Sequence, residues 1–477
     1  MTLVLSVSVV AAVLHVATRT WLILRYGWVG SDTYYHLIVG GLLRIRRRWP
    51  LRHDRFIRPE VVDYPPLLPL LSAIWPRKHL RQLQYLGPGS DFGTLLAVGV
   101  IALWLDGVWA ASIAMMVYAS TPYTFDMAYS LSPRPLANLF MTLSLGALLL
   151  VDELGVPAVV AAGLFGGLVL LTHRLTTQSY LAAAGAFAVF APLEVLSAVA
   201  ISVFAAITLS GGVYLSTLQG HLAFIRDIRN SPLHRGSPAR DMAKVLAGNP
   251  HLVLVAFLVS SQWDALPDKS AVLALATVVI WVVAISWPYG EGDRHFANAS
   301  TLTALTASLG VWSGGSSTLL AATVAAGTII ITTKLASYPE LAKRGASTVV
   351  TAPVREACAM IRAETVAPTQ PLVLTCPQSL SYQVMFFAHA RGVVASGGTG
   401  TGLAYNVGLE IRLQQSGIPG LLDSEAPDYV VCLDRHRPSG LERGFIQIFD
   451  SGGTEVYRRS AKEIVRDGSS QQGPAGA

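Results

Sequence analysis

Apolar runs of about 20 residues recur along the first ~340 positions, and this recurrence constrains the fold more than any other feature of the sequence. A run of that length is long enough to cross a bilayer as one helix. Only 13% of the 477 residues are charged, whereas soluble domains carry about 25%. The sequence therefore predicts a mainly α-helical protein that crosses a membrane many times.

The apolar runs predict about eleven membrane helices. The first run is longer than the core of a signal peptide and has no convincing small-residue cleavage site, so we expect it to be retained. The transmembrane domain is predicted at 1–337, and its long first loop at 27–90 carries two amphipathic helices in the interface plane. The predicted membrane helices lie at 3–25, 91–106, 107–122, 134–151, 156–172, 176–191, 193–217, 250–262, 269–288, 296–312 and 315–336.

Beyond residue 337, short β-like segments alternate with helical patterns, which is typical of a small α/β domain with a partly parallel sheet. This soluble domain is predicted at 338–468, and the polar residues 469–477 are predicted to form a disordered tail. The predicted strands lie at 371–375, 392–395, 428–432, 445–449 and 454–458.

Three cysteines lie in the predicted soluble domain, and none has a metal-ligand spacing. Two interpretations stay open for Cys376 and Cys432. They either pair in an oxidising space or, like Cys358, remain buried free thiols.

Eleven crossings bring every chemically rich loop to one face of the membrane. That face is also the more basic one, because seven arginines lie between residues 44 and 58. Basic loops normally mark the cytoplasmic side. They also meet lipid phosphates beside a bilayer, so we do not expect nucleic acid as a partner of this chain. The rich loops are 27–90, 123–135, 173–174, 218–249 and 289–295.

The stretch Ser-Asp-Thr-Tyr-Tyr-His at 31–36 follows the first apolar run directly. An acid at a membrane helix end is either an interfacial cap or a functional group, and its hydrogen-bonding neighbours Tyr35 and His36 favour function for Asp32. About 30 residues later, Asp63 and Tyr64 precede two prolines, which suit a helix start. These two residues either cap that helix or line a site.

Four basic residues are candidates for binding an anion. An arginine at a helix N-terminus gains nothing from the helix dipole, and its guanidinium matches phosphate oxygens, so we favour a phosphate partner for Arg134. A side chain reaching into lipid headgroups is the alternative. His173 and Arg174 either decorate the interface or bind anionic headgroups.

The cluster at 289–295 is either a solvated turn or a ligand site. In the second case Arg294 contacts a phosphate or sugar, and Glu291 or Asp293 binds a metal or a hydroxyl group. Asp126 lies in another of the rich loops, at 123–135. The basic loop 218–249 is either a mobile cover or a solvated linker.

Two short motifs resemble a known superfamily. The stretch at 31–36 resembles the first-loop acidic motif of oligosaccharyltransferase catalytic subunits. The Tyr-Pro-Pro-Leu stretch at 64–67 resembles the protein mannosyltransferases and the lipid A aminoarabinose transferases. In layout, about residues 1–340 resemble the GT-C superfamily, which comprises integral membrane glycosyltransferases that use polyprenyl-phosphate-linked sugars.

The resemblance implies that Asp32 is the catalytic acid of the first loop, acting as general base on the acceptor or positioning it, with Asp63 as a less certain partner. Arg134 and Arg294 would bind the donor phosphate, with His173 and Arg174 beside them. Substrate contacts are predicted for Tyr35, His36, Tyr64, Asp126, Glu291 and Asp293.

The superfamily's site faces away from the cytoplasm, so we set the charge count aside and predict the rich loops and the soluble domain to be extracytoplasmic. The expected partners are a polyprenyl-phosphate sugar, a glycan, lipid or protein acceptor, and membrane lipids. The chain departs from the oligosaccharyltransferases, because it has no Trp-Trp-Asp motif and no second acid two residues from Asp126. These departures weaken N-glycan transfer, and they leave a divalent metal open without requiring one.

A transporter or lipid flippase without covalent chemistry is the main alternative, and a non-catalytic glycan-binding protein is a third. Transporters usually place polar or broken helices near the bilayer midplane and often contain inverted repeats. This sequence has few charges inside its apolar runs and no internal repeat. The gathering of polar residues at one surface favours an interfacial enzyme.

Overall fold

The computed structural model describes residues 2–26, 30–48, 52–53, 60–62, 64–122, 124, 130–229, 248–249, 251–252, 255, 268–286, 293–313, 350–365, 370–393, 417–433, 436–439 and 441–460. The chain divides into two compact units. Unit 1 comprises Met1–Thr33 and Asp63–Ser347, and unit 2 comprises Tyr34–Val62 and Thr348–Ala477. The longer segment of unit 2 overlaps the domain predicted at 338–468, and its shorter segment comes from the predicted first loop.

Unit 1 is helical over most of its described residues. Helix α2 (Ser31–Arg46) begins in unit 1 and continues in unit 2. The other elements of unit 1 are α1 (Thr2–Tyr26), α3 (Leu67–Ile74), a 3-10 helix (Arg77–Tyr85), α4 (Leu86–Ser120), α5 (Pro133–Leu149), α6 (Val151–Leu154), α7 (Val156–Leu170), α8 (Arg174–Phe187), α9 (Pro192–Leu209), α10 (Val213–Arg229), α11 (Asp268–Ser286) and α12 (Asp293–Ser313).

The apolar runs predict the positions of these helices well. Helices α1, α5, α7, α8, α11 and α12 each overlap one predicted span. The turn predicted at 106–107 is the point where α4 leaves helical geometry, with Gly107 at φ 83°. Only glycine adopts such a backbone without steric cost. The predicted helix at 315–336 and most of 250–262 lie outside the described residues.

The prediction of a single helix at 193–217 is wrong. Helix α9 ends at Leu209, and Gly211 and Gly212 then adopt φ values of 58° and 85°. Two consecutive glycines in the left-handed region end a helix, although the surrounding composition stays apolar. Helix α10 (Val213–Arg229) starts after this break and occupies the beginning of the region that we predicted as a loop at 218–249.

Two stretches among the described helices are long and apolar enough to cross a bilayer. They are Arg77–Ser120, which contains the break in α4, and Pro192–Leu209, while Val156–Leu170 is a shorter apolar helix. The predicted number of eleven crossings is therefore not confirmed. Among the described residues of unit 1, a large buried apolar cluster joins side chains of α4, α5, α7, α8, α9, α11 and α12.

Glycines on α7 allow close contact with α9. Gly163 and Gly167 are four residues apart and lie on one face of α7. A Cβ atom at Gly167 would lie 2.9 Å from the carbonyl oxygen of Ser202 and 2.9 Å from Cβ of Ala205. Small residues at this spacing are typical of tightly packed membrane helices.

Unit 2 contains a five-stranded sheet with the order β4-β3-β5-β7-β6. Strand β3 is parallel to β4 and β5, whereas β7 is antiparallel to β5 and β6. The partly parallel sheet and its five strands were all predicted. The elements are the hairpin β1 (Arg52–His53) and β2 (Glu60–Val61), α13 (Ala352–Glu364), β3 (Leu372–Cys376), α14 (Ser381–Ala388), β4 (Arg391–Val393), β5 (Tyr429–Leu433), β6 (Phe445–Ser451) and β7 (Thr454–Arg459).

The cysteines of unit 2 are buried free thiols, which is one of the two predicted alternatives. Cys376 and Cys432 face each other as register partners in β3 and β5. The hydrogen bond to Cys376, together with burial, raises the pKa of the Cys432 thiol. Burial likewise raises the pKa of Cys358 to about 12. The thiols of Cys358 and Cys432 are therefore protonated near neutral pH.

The close approach of α7 and α9 predicts a specific sensitivity to side-chain size. We expect Gly167→Ala to lower the free energy of unfolding by about 1–3 kcal/mol, because the added methyl group meets the backbone of α9. Gly185→Ala in α8 is the matched control, since a Cβ atom there has no neighbour within 4 Å. Thermal unfolding in detergent measures both, and an equal effect of the two substitutions would contradict the packing argument.

Candidate functional site

The first turn of α2 packs against the segment that leads into α5. Gly30 has φ +87°, and a Cβ atom there would lie 2.7 Å from Cβ of Ser130. Thr33 Oγ1 accepts a hydrogen bond of 3.1 Å from the backbone N–H of Leu131. These contacts bring the backbone of Asp32, the second residue of α2, to the segment just before Arg134.

Helix α5 begins with a serine cap and a proline, as its sequence favours. The backbone N–H of Arg134 lies 3.4 Å from Oγ of the N-cap residue Ser132, and Pro133 occupies the first helical position. Arg134 is half-buried. The segment that leads into α5 therefore contacts the first turn of α2 within unit 1.

Helices α5 and α12 run parallel with a fixed register. Nδ2 of Asn138 lies 3.4 Å from the carbonyl oxygen of Ala297, and the hydroxyl oxygens of Thr142 and Thr301 are 3.0 Å apart. Both contacts join positions separated by 159 residues. These contacts tie the second and third turns of α5 to the second and third turns of α12.

His173 caps helix α8 with its ring. Its Nδ1 accepts a hydrogen bond of 3.2 Å from the backbone N–H of Thr176. An accepting Nδ1 carries no proton, so the neutral ring is protonated at Nε2. The next residue, Arg174, is 4% exposed.

The C-terminal part of the predicted first loop contacts the start of α8. The Arg174 guanidinium carbon lies 5.5 Å from the centre of the Tyr64 ring. The backbone N–H of Leu67 donates a hydrogen bond of 2.9 Å to the carbonyl oxygen of Leu171. The Tyr-Pro-Pro-Leu stretch at 64–67 and the His-Arg pair at 173–174 were predicted separately, and they lie together in unit 1.

A buried polar chain joins α8 to α12. Thr176 Oγ1 donates to Oδ1 of Asn298 at 3.3 Å, and Nδ2 of Asn298 donates to Ser179 Oγ at 2.9 Å. Ser179 Oγ lies 2.9 Å from Nδ1 of His295. His295 directly follows Arg294, so this chain links the start of α12 to the start of α8.

Helix α10 also contacts α8. Nε2 of His221 lies 2.7 Å from Nε2 of Gln178. His221 belongs to the region predicted as a cover or a linker at 218–249. The contact shows that its first part is a helix anchored to the element that carries His173 and Arg174.

Several predicted site residues are not described at the level of their side chains. Asp63, Asp126 and Glu291 lie outside the described residues. For Asp32, Asp293 and Arg294 only the backbone is described. Among the described residues, no three His, Cys, Asp or Glu side chains are arranged to share a metal ion.

Tyr35 and His36 belong to unit 2, and each is 2% exposed. The ring of Tyr35 packs edge-on against His36 at 5.2 Å and against Tyr382 of α14 at 5.6 Å. The neighbouring Tyr34 contacts Phe386 and Phe387, and burial raises the pKa of its phenol. Substrate binding by Tyr35 and His36 stays a prediction.

Sequence reasoning missed a buried charged cluster between α1 and α4. Asp91 Oδ2 lies 2.6 Å from Nε of Arg19 and 2.6 Å from Nε2 of His15, and Asp91 Oδ1 accepts a 2.7 Å hydrogen bond from Tyr118. Arg19 also donates to Thr124 Oγ1 at 2.8 Å. The signal was present, since His15 and Arg19 stand four residues apart inside the first apolar run.

The fold has clear counterparts among solved structures. Archaeal oligosaccharyltransferase AglB from Archaeoglobus fulgidus, in complex with an inhibitory peptide and a dolichol-phosphate, matches 97% of this chain and 74% of its own, with 13% identity and a TM-score of 0.56. ArnT from Cupriavidus metallidurans bound to undecaprenyl phosphate matches 96% of this chain and 98% of its own, with 11% identity and a TM-score of 0.64. Both are GT-C membrane glycosyltransferases.

The chain has the GT-C fold. The resemblance inferred from the two short motifs is thereby confirmed. Apo ArnT gives the same TM-score of 0.64, at 11% identity. No protein-family model and no curated protein sequence matches the chain. At these identities the GT-C likeness concerns the fold alone, so the roles of individual residues rest on the geometry of this chain.

The capping role of His173 predicts that alanine at this position lowers the stability of the fold and that asparagine preserves it. We expect His173→Ala to lower the free energy of unfolding by about 1 kcal/mol, because the N–H of Thr176 loses its acceptor. His173→Asn supplies a capping oxygen and should remain close to the unsubstituted chain. Thermal unfolding of both variants checks the cap, and equal losses would show that the ring stabilises unit 1 in another way.

The buried charged cluster predicts a larger loss of stability when its carboxylate is removed. Asp91→Ala should lower the free energy of unfolding by about 3–5 kcal/mol, because it leaves the guanidinium of Arg19 buried without its carboxylate. The double substitution Arg19→Leu with Asp91→Leu should recover part of that loss. Asp152→Ala is the control, since that side chain is 85% exposed and its removal should cost less than about 0.5 kcal/mol.

Thermal unfolding in detergent compares the three variants. A double variant as unstable as Asp91→Ala would contradict the role assigned to the uncompensated charge.

Proposed function

We propose that the chain is a membrane glycosyltransferase that moves a sugar from a polyprenyl-phosphate-linked donor to an acceptor. Two GT-C structures with the same fold support this proposal, one in complex with a dolichol-phosphate and the other bound to undecaprenyl phosphate. The likeness to ArnT extends over 98% of that chain. In this proposal the transferred sugar is a hexosyl or a pentosyl group.

One observation supports the proposal: the helices that begin with an acid or with basic residues are joined to one another by contacts in unit 1. The first turn of α2, with Asp32, is bonded through Thr33 to the segment preceding Arg134. Asn138 and Thr142 of α5, the helix of Arg134, contact α12, whose first turn carries Arg294. The same end of α12 is joined to α8, which begins with Arg174.

This set of residues suits transfer from a lipid-linked phosphate sugar. An acceptor hydroxyl attacks the anomeric carbon, and the bond from that carbon to the phosphate oxygen breaks. In our proposal Asp32 takes the hydroxyl proton as general base. The phosphate leaves with the bonding electrons, and Arg134, Arg294, Arg174 and His173 stabilise its charge.

The remaining assignments follow the same chemistry. Asp63 is a second candidate for the acid of the first loop. Tyr35, His36, Tyr64, Asp126, Glu291 and Asp293 are candidate contacts for the sugar and the acceptor. We place the reaction at the extracytoplasmic face, with loops 27–90, 123–135, 218–249 and 289–295 and the C-terminal domain on that side.

The alternative function is transport or flipping of a lipid without covalent chemistry. The buried pair of Arg19 and Asp91 is the observation that favours it, because charges inside membrane helices often mark transport pathways. Both carboxylate oxygens of Asp91 are nevertheless engaged by α1 and α4 side chains. Such a saturated pair suits a structural role better than a transport pathway.

Substitution of the proposed base tests the function directly. Asp32→Asn should lower the rate of sugar transfer from a polyprenyl-phosphate donor by about 10²–10⁴, because the amide cannot accept the hydroxyl proton. Binding of the donor should change little, since the arginines remain. The measurement uses purified full-length protein with a radiolabelled sugar donor, and Asp152→Asn, an exposed acid, is the matched control.

Two outcomes count against the proposal. Full transfer by Asp32→Asn would remove Asp32 from the catalytic role and leave Asp63 as the candidate. A wild-type protein that transfers no sugar but moves a lipid-linked sugar between the leaflets of a vesicle would favour the flippase.

A further inference from the structure

One buried amide bridges two helices of unit 1. Oδ1 of Asn298 on α12 accepts from Thr176 at 3.3 Å, and Nδ2 donates to Ser179 at 2.9 Å. Asn298 is 3% exposed, and both partners on α8 are fully buried. The amide therefore uses its acceptor and its donor at the same time, on two residues of one neighbouring helix.

The bridge extends to both helix starts. On one side, the backbone N–H of Thr176 donates a hydrogen bond of 3.2 Å to Nδ1 of His173, the cap of α8. On the other side, the hydroxyl of Ser179 lies 2.9 Å from Nδ1 of His295, in the first turn of α12. Hydrogen bonds thus join five buried residues in one series, from His173 through Thr176, Asn298 and Ser179 to His295, and the first of these bonds uses the backbone N–H of Thr176.

The ends of this chain adjoin two of the residues proposed to bind the donor phosphate. His173 precedes Arg174, and His295 follows Arg294 in the sequence. The spacing between the two arginines therefore depends on how α8 and α12 are held together. Few side chains can hold them in this way, because an aspartate only accepts hydrogen bonds and an alanine makes none.

We propose that Asn298 is a positioning residue of the donor-phosphate site. It fixes the start of α8 relative to the start of α12, and thereby the separation of Arg174 and Arg294, two of the four groups proposed to bind the phosphate. The inference rests on the proposed function only in taking the ligand to be a polyprenyl phosphate. Errors of about 1 Å in such a clamp change rates by up to about a hundredfold.

Removal of the amide tests this role. The variants are Asn298→Ala and Asn298→Asp, in purified full-length protein. The matched control is Thr306→Val on the same helix, whose fully buried hydroxyl lies 3.4 Å from that of Thr277. Thr306 is about 12 Å, or eight residues, further along α12. It is a buried hydrogen-bonding residue like Asn298, but it has no connection to the helix starts in the described hydrogen bonds.

Binding and stability are measured separately. The probe is undecaprenyl phosphate alone, titrated well below the unfolding midpoint of each variant. We expect Asn298→Ala and Asn298→Asp to weaken binding about tenfold or more, whereas Thr306→Val stays within about twofold at a similar loss of thermal stability. In sugar transfer, the Asn298 variants should raise KM for the donor more than they lower kcat at saturation.

The outcomes are distinct. Unchanged binding in the Asn298 variants, or equal weakening by Thr306→Val, would show that the bridge only stabilises the fold and would overturn the inference. Should Asn298→Ala fail to fold, Asn298→Asp, which keeps the size of the side chain, decides by the same criteria. Amide-dependent binding in a wild-type protein that transfers no sugar would support the inference and reject the proposed function. A wild type that binds no undecaprenyl phosphate would overturn the inference.

Discussion

Hydrogen bonds between buried polar side chains hold the helices of unit 1 in register, because the apolar side chains around these groups offer them no hydrogen bonds. An unpaired amide or hydroxyl group in such surroundings costs several kcal/mol. Asn298 is paired on both sides, Thr142 meets Thr301, and Asp91 meets Arg19. Apolar contacts alone tolerate sliding of one helix along another, whereas a hydrogen bond of about 3 Å tolerates very little. The polar pairs therefore decide which turns of neighbouring helices lie at the same level.

This register matters because the groups of functional interest belong to helix starts. The N-terminus of a helix attracts anions through its unsatisfied N–H groups and its dipole. Helices α5, α8 and α12 begin with or next to Arg134, Arg174 and Arg294, and each is tied to a neighbour within two turns of its start. A phosphate held among such groups is the ligand that the proposed chemistry requires. The GT-C fold thus sets the arrangement of the helices, and the buried polar pairs set the register between neighbouring helices.

The sequence was informative where a single physical preference dominates. Runs of apolar residues predicted six of the observed helices, and alternating β-like segments predicted all five strands of the sheet in unit 2. The sequence was misleading where two of its features predict different structures. The apolar composition around Gly211 and Gly212 hides the helix break that these glycines produce. Pairs such as Arg19 and Asp91 are 72 positions apart, and pattern reasoning on one helix at a time does not connect them.

By itself, the sequence determined the fold class, the approximate positions of the helices and the candidate site residues. It could do so because hydrophobicity and the chemistry of single side chains are local properties. The tertiary structure alone decided which of those residues lie together. It brought Tyr64 to Arg174 and the first turn of α2 to the start of α5, and it assigned Tyr35 and His36 to the aromatic packing of unit 2. It also gave Asn298 a position between two helix starts. These outcomes depend on contacts between distant parts of the chain, and the free energy of such contacts is not encoded in any local pattern.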